Sequence, residues 1–144
     1  MEEQSNFDSF ELAVDNDIKT YLKETANWTL FLAILGFIGV GFMVLAGIVM
    51  FVMDTRYPDI RSMGITYSYI GILYIIMAVA YVFPVYYLFN FSQKIKSALS
   101  LNNNTDFKAA FASLKSHFKY LGISVIAIIV LYIAAMAVMV FSIM

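Results

Sequence analysis

Trp28 to Met53 reads WTLFLAILGFIGVGFMVLAGIVMFVM and holds no charged residue. A helix rises about 1.5 Å per residue and a bilayer core is about 30 Å thick, so about 20 apolar residues suffice to cross it. Gly36, Gly39, Gly41 and Gly47 lie inside the run. In water each would weaken a helix by about 1 kcal/mol relative to alanine. In hydrocarbon the backbone must satisfy its own hydrogen bonds, so the helix persists. The run does not alternate and is too long for a barrel strand. Two more uncharged runs follow, Ser62 to Gln93 and Tyr120 to Met144. A soluble chain of 144 residues cannot bury three helices that are apolar all round. The expected fold is therefore all-α: an integral membrane bundle of three transmembrane helices, with spans at about 28–53, 64–87 and 120–143.

Composition agrees. The chain is 62% hydrophobic and 13% charged, with no cysteine and one histidine; soluble domains are about half apolar and about a quarter charged. A disordered chain, a disulfide scaffold and a thiolate metal site are excluded. The first run reads as an uncleaved anchor, because 27 mostly polar, acidic residues precede it where a signal peptide would be short and basic.

The second run is too long for one straight crossing and contains Pro84. Proline removes a helix hydrogen bond, so a kink is expected between Ala80 and Pro84, with a helical extension through Leu99. The connection 92–119 is not a floppy loop. Asn102-Asn103-Asn104 signals a turn, with Asn104 or Thr105 as helix cap. Phe107, Ala110, Phe111, Leu114 and Phe118 then recur at helical spacing, edged by Lys108, Lys115 and Lys119. This is an amphipathic helix leading into the third span. Its face suits either the lipid headgroup boundary or the protein's own helices. Phe107, Phe111, Phe118 and the three lysines are thus candidate contacts for lipid or a partner. Nearer the N-terminus, Asn16 or Asp17 suits a cap for a helix starting near Ile18; Phe7, Phe10 and Val14 extend its stripe weakly.

Charge sets the orientation. Residues 1–27 carry Glu2, Glu3, Asp8, Glu11, Asp15, Asp17 and Glu24 against Lys19 and Lys23, a balance of −5. The connection 92–119 carries Lys94, Lys96, Lys108, Lys115 and Lys119 against Asp106, a balance of +4. These seven lysines share one side; Arg56 and Arg61 lie on the other. The positive-inside rule then puts the N-terminus in the cytoplasm and the C-terminus outside. The acidic segment 1–27 is thus a cytoplasmic unit, partly helical, and 28–144 is the membrane domain.

Small residues let membrane helices approach. Gly64, Ser68, Gly71 and Ala78 share a stripe on the second span; Thr29, Ala33, Gly36 and Gly47 share one on the first. Ala127, Ala134 and Ala137 are the counterparts on the third, so a compact bundle is expected. Tyr67, Tyr74 and Tyr81 form a further stripe. It suits aromatic packing with each hydroxyl bonded to a neighbour, or a polar track for a small solute.

Chemistry-bearing patterns are scarce. No ionisable residue falls within the spans, which disfavours a proton-coupled carrier. Asp54, Asp59 and Asp106 read as helix-end or loop charges. His117 reads as a single surface histidine without zinc co-ligands. Phosphate loops and dinucleotide or nucleophile-elbow motifs are absent. No catalytic, cofactor or metal residues are assigned, and no nucleic-acid partner is expected.

Three segments carry a family resemblance: WTLFLAILGFIGVGFMVLAGI (Trp28 to Ile48), FPVYYLFNFSQKIKSAL (Phe83 to Leu99) and FKAAFASLKSHFKYLGI (Phe107 to Ile123). Together they resemble an uncharacterised, domain-of-unknown-function family of small bacterial inner-membrane proteins. The resemblance implies a bacterial integral membrane protein and transfers no activity. The functional expectation is a non-enzymatic accessory or interaction protein that contacts membrane lipids and other membrane proteins or itself. The alternative is an oligomeric pore or carrier for a small solute, lined by the second-span tyrosines.

Overall fold

The computed structural model describes residues 15–57 and 66–143. Among them are three helices: α1 (Asn16–Arg56), α2 (Tyr67–Leu101) and α3 (Asn104–Ile143). Each is long and apolar enough to cross a membrane. The stripe residues Phe7, Phe10 and Val14, as well as Asp59 and Gly64, lie outside the described residues.

The helix ends follow from capping chemistry, with two corrections to the sequence reading. Asp15, rather than Asn16 or Asp17, caps α1, its carboxylate accepting the Asn16 N–H at 2.6 Å. Asp17 in the first turn complements the helix dipole. Asn103, rather than Asn104 or Thr105, caps α3; its Oδ1 accepts the N–H groups of Thr105 at 2.9 Å and Asp106 at 3.4 Å. The register is set by the residue before it. Asn102 ends α2 in the left-handed region (φ 50°), and the Asn103 N–H returns to the Ala98 carbonyl at 3.1 Å. Asparagine tolerates that conformation, so two residues reverse the chain.

At the opposite end Thr66 makes no side-chain cap for α2. Asp54, from the last turns of α1, does that work instead. It accepts the Tyr67 N–H at 3.1 Å and the Ser68 hydroxyl at 2.6 Å. A carboxylate suits the positive end of a neighbouring helix.

α2 is the middle element. It packs along α1 on one side and α3 on the other, while α1 and α3 barely touch. Ala26, Thr29, Ala33 and Gly47 of α1 are buried, as are Gly71, Ala78 and Val85 of α2. The α1–α2 pair is closest where Gly47 meets Gly71: a Cβ on Gly71 would lie 2.8 Å from the Gly47 carbonyl oxygen.

The compact bundle expected of all three spans does not form. α3 follows α2 only as far as Tyr120 and Leu121, and every residue from Val125 to Ser142 is exposed, Ala127, Ala134 and Ala137 included. In a bilayer, where lipid tails are as apolar as leucine, no hydrophobic force would draw an apolar helix inward. Packing must come from small residues or hydrogen bonds, and α2 has spent Gly71 and Ala78 on the α1 side.

Candidate functional site

The three helices converge at the end that carries the lysines. Ala26, Phe91, Ile95 and Ala110 form a buried cluster, flanked by Leu22, Leu99, Phe107 and Leu114. Polar side chains within this region are paired. The buried Ser92 hydroxyl donates to the Ala26 carbonyl at 2.6 Å, and the Asn90 amide donates to Ser113 Oγ at 2.8 Å. Such bonds fix helix register where the apolar contacts alone would slide.

Asp106 closes the α2–α3 turn. It accepts from Ser97 Oγ at 2.6 Å and pairs with Lys94 Nζ at 2.9 Å. The Ser97 hydrogen bond first, then that of Lys94, holds its carboxyl below the ordinary carboxylate range. A lowered folded-state pKa contributes stability above the unfolded value that is lost as pH falls through the folded value. At neutral pH the chain is therefore expected to be more stable than Asp106→Asn, with the gap closing below about pH 4. Thermal midpoints of both proteins across that range check this; a constant gap would contradict it.

His117 is not the free surface histidine that its isolation in the sequence suggests. It is half-buried, with Nδ1 2.7 Å from the Pro84 carbonyl oxygen. A carbonyl only accepts, so Nδ1 carries a proton. One turn further, the Tyr120 hydroxyl donates to the Ala80 carbonyl at 3.0 Å. Proline has no N–H, so Pro84 leaves that carbonyl without its helical donor. α2 continues unbroken through Pro84, and α3 supplies the missing bond. Sequence spacing gave no sign of this pairing, because the two groups are 40 residues apart. Tyr120→Phe should cost about 1 kcal/mol, the net worth of a hydrogen bond. In a Pro84→Ala background the residue 84 N–H satisfies Ala80, and the cost should shrink towards zero. A double-mutant cycle on unfolding free energies reads the coupling.

Beside this contact runs an open groove of about 550 Å³ lined by Leu32, Gly36, Gly39, Tyr81, Pro84, His117 and others. A second cleft, of about 630 Å³, lies between α1 and α2, with Lys23, Asn27, Gln93, Lys96, Ser97, Leu99 and Ser100 on its walls.

The residues singled out in the sequence fall in different places. Phe107 packs on the chain's own cluster, and Phe111 stands edge-on to Phe91. Phe118 is exposed beside His117, and Lys108, Lys115 and Lys119 are exposed. That segment is continuous with the rest of α3 and stands along α2. Gly71 and Ala78 are buried, Ser68 is half-buried on Asp54, and Gly36 faces Val85. Tyr74 and Tyr81 are 41% and 46% exposed. The hydroxyls of Tyr67, Tyr74 and Tyr81 bond no described residue, so the neighbour bonds expected for that stripe do not form there; the tyrosine hydroxyl that does is Tyr120. Among the described residues no three His, Cys, Asp or Glu side chains gather as metal ligands.

Among the described residues these features define an all-helical fold with three helices of membrane-crossing length and composition. It belongs to a family of unknown function (DUF5362), whose model matches residues 61–140. The match takes in α2, the asparagine turn, the Pro84–His117–Tyr120 contact and nearly all of α3, and it leaves α1 outside. No curated protein and no solved structure matches the chain.

Proposed function

We propose that this is a non-enzymatic multi-pass protein of the bacterial cytoplasmic membrane that works by contact, as a small accessory or organising subunit. Its N-terminus is cytoplasmic and its C-terminus outside; the lysines gathered at one end support this through the positive-inside rule. Reporters fused to each terminus test the orientation. The helix kinks near Pro84, and the amphipathic start of α3 stands at the cytoplasmic boundary.

One observation carries the proposal. From Val125 to Ser142 α3 is exposed and has no partner among the described residues, whereas α1 and α2 pack along each other. A span with no intramolecular packing has its whole surface available to another membrane helix. The chain has no cysteine, so one introduced at Leu131 is unique. Mild crosslinking in membranes should give a reproducible product of defined mass, with a second copy or another membrane protein. A chain that stays monomeric and enriches no partner would overturn the proposal.

Tyr74 and Tyr81, exposed and with hydroxyls that bond no described residue, favour a second reading, an oligomeric pore or carrier for a small solute. Reconstituted liposomes separate the two. Solute flux that changes on Tyr74→Phe supports a pore, and tight liposomes dismiss it.

A further inference from the structure

The cleft between α1 and α2 carries the donors that an anion site needs. Lys23 comes from α1 and Lys96 from α2. Neither enters an ion pair among the described residues; the pair that forms there is Lys94–Asp106. Ser97 and Ser100 are already committed, their hydroxyls donating to Asp106 and to the Ser97 carbonyl. The donors left on the walls are therefore two ammonium groups and the side-chain amides of Asn27 and Gln93. Two cations line one cleft from α1 and α2, and no carboxylate is among its lining residues; like charges repel, and a bound anion relieves that repulsion.

Position narrows the anion. Asn27 immediately precedes Trp28, where the first uncharged run begins, and Gln93 is the last residue of the second run. In a bilayer this level is that of the lipid phosphates, and lysines there are drawn to anionic lipid. We propose that the Lys23–Lys96 cleft binds a phosphate oxyanion, supplied by the headgroup of an anionic phospholipid. This rests on the membrane reading for the source of the phosphate, but not for the existence of the site. It differs from the exposed Lys108, Lys115 and Lys119, which belong to α3 and line no part of this cleft.

The chain contains one tryptophan, Trp28, exposed and adjoining the cleft residue Asn27 in the sequence, and its emission is the readout, with the lysine variants assigning any signal to the cleft. The full chain in a neutral detergent is titrated with phosphatidylglycerol, phosphatidylcholine and inorganic phosphate. Phosphatidylglycerol should saturate the signal about thirtyfold more tightly than phosphatidylcholine, the effect expected of two lysines. The K23A/K96A variant should lose that preference, K23R/K96R should keep it, and K108A/K115A should leave it unchanged. Saturation by inorganic phosphate that K23A/K96A abolishes, with the two lipids equal, supports the oxyanion site and assigns it to a soluble source. Equal lipids with no phosphate response would overturn the proposal, as would a preference that survives K23A/K96A. Because the readout uses the isolated chain, it stands apart from the crosslinking test of partner contact.

Discussion

Gly71→Val is expected to separate α1 from α2 and to destabilise the folded chain by about 3 kcal/mol, at the upper end of typical overpacking costs. The first added atom decides the outcome. A Cβ at position 71 would sit 2.8 Å from the Gly47 carbonyl oxygen and 3.2 Å from the Phe51 ring. The first of these is backbone and cannot rotate aside. Gly36 is a second tight point. Its Cβ would meet the two methyls of the buried Val85 at 2.7 and 3.0 Å, and valine is stiff at χ1. Gly36→Ala should therefore also be costly. At Gly39, Gly41 and Gly122 a Cβ meets nothing within 4 Å. Alanine there should be neutral or slightly stabilising, since it has the higher helix propensity. Unfolding titrations of the five alanine variants in mixed micelles give the order directly. A flat series would mean that the α1–α2 contact is not set by Gly71.

The second large effect is expected at Phe91, for which truncation to alanine should cost about 3 to 5 kcal/mol. Phe91 is 2% exposed in the cluster where α1, α2 and α3 converge, and its ring stands at 79° to that of Phe111. Polar groups lie close by, with Ser92 bonding Ala26 and Asn90 bonding Ser113. Emptying the centre removes the contacts that bring these bonds into line. The loss should therefore appear as loosening of α3 from the other two helices, seen as faster amide exchange at Asn103 to Ser113. Phe141→Ala is the control, because that ring is 79% exposed and touches no core. Equal effects at the two phenylalanines would show that the cluster does not hold the helices together.

Much of the helical framework is legible in the sequence because lipid-compatible helices announce themselves by composition. The three uncharged runs need no tertiary partner to be recognised. The asparagine triplet marks the turn, although only the fold selects Asn102 for the left-handed residue and Asn103 for the cap. What the sequence conceals is which polar group meets which. Asp54 reads as a helix-end or loop charge, but the spacing does not say that it caps a second helix, one that begins 13 residues later. His117 reads as a lone surface histidine and Tyr120 as the first residue of the third uncharged run, yet they serve the backbone around a proline. The divergence of α3 is hidden for a related reason. Alanines at helical spacing permit close approach, but nothing in hydrocarbon compels it. The lysine cleft is hidden too, because Lys23 and Lys96 are far apart along the chain and meet only through the α1–α2 packing.

α3 is one unbroken rod with its first half fastened and its second half loose. It is a lever whose fulcrum is the Tyr120–Ala80 contact. From Leu121 to Ile143 the free arm is about 33 Å long at the helical rise, so a tilt of about 10° moves its tip by about 6 Å. Any tilt of α3 about that contact is thus magnified, without an intervening joint, at the far end of the rod.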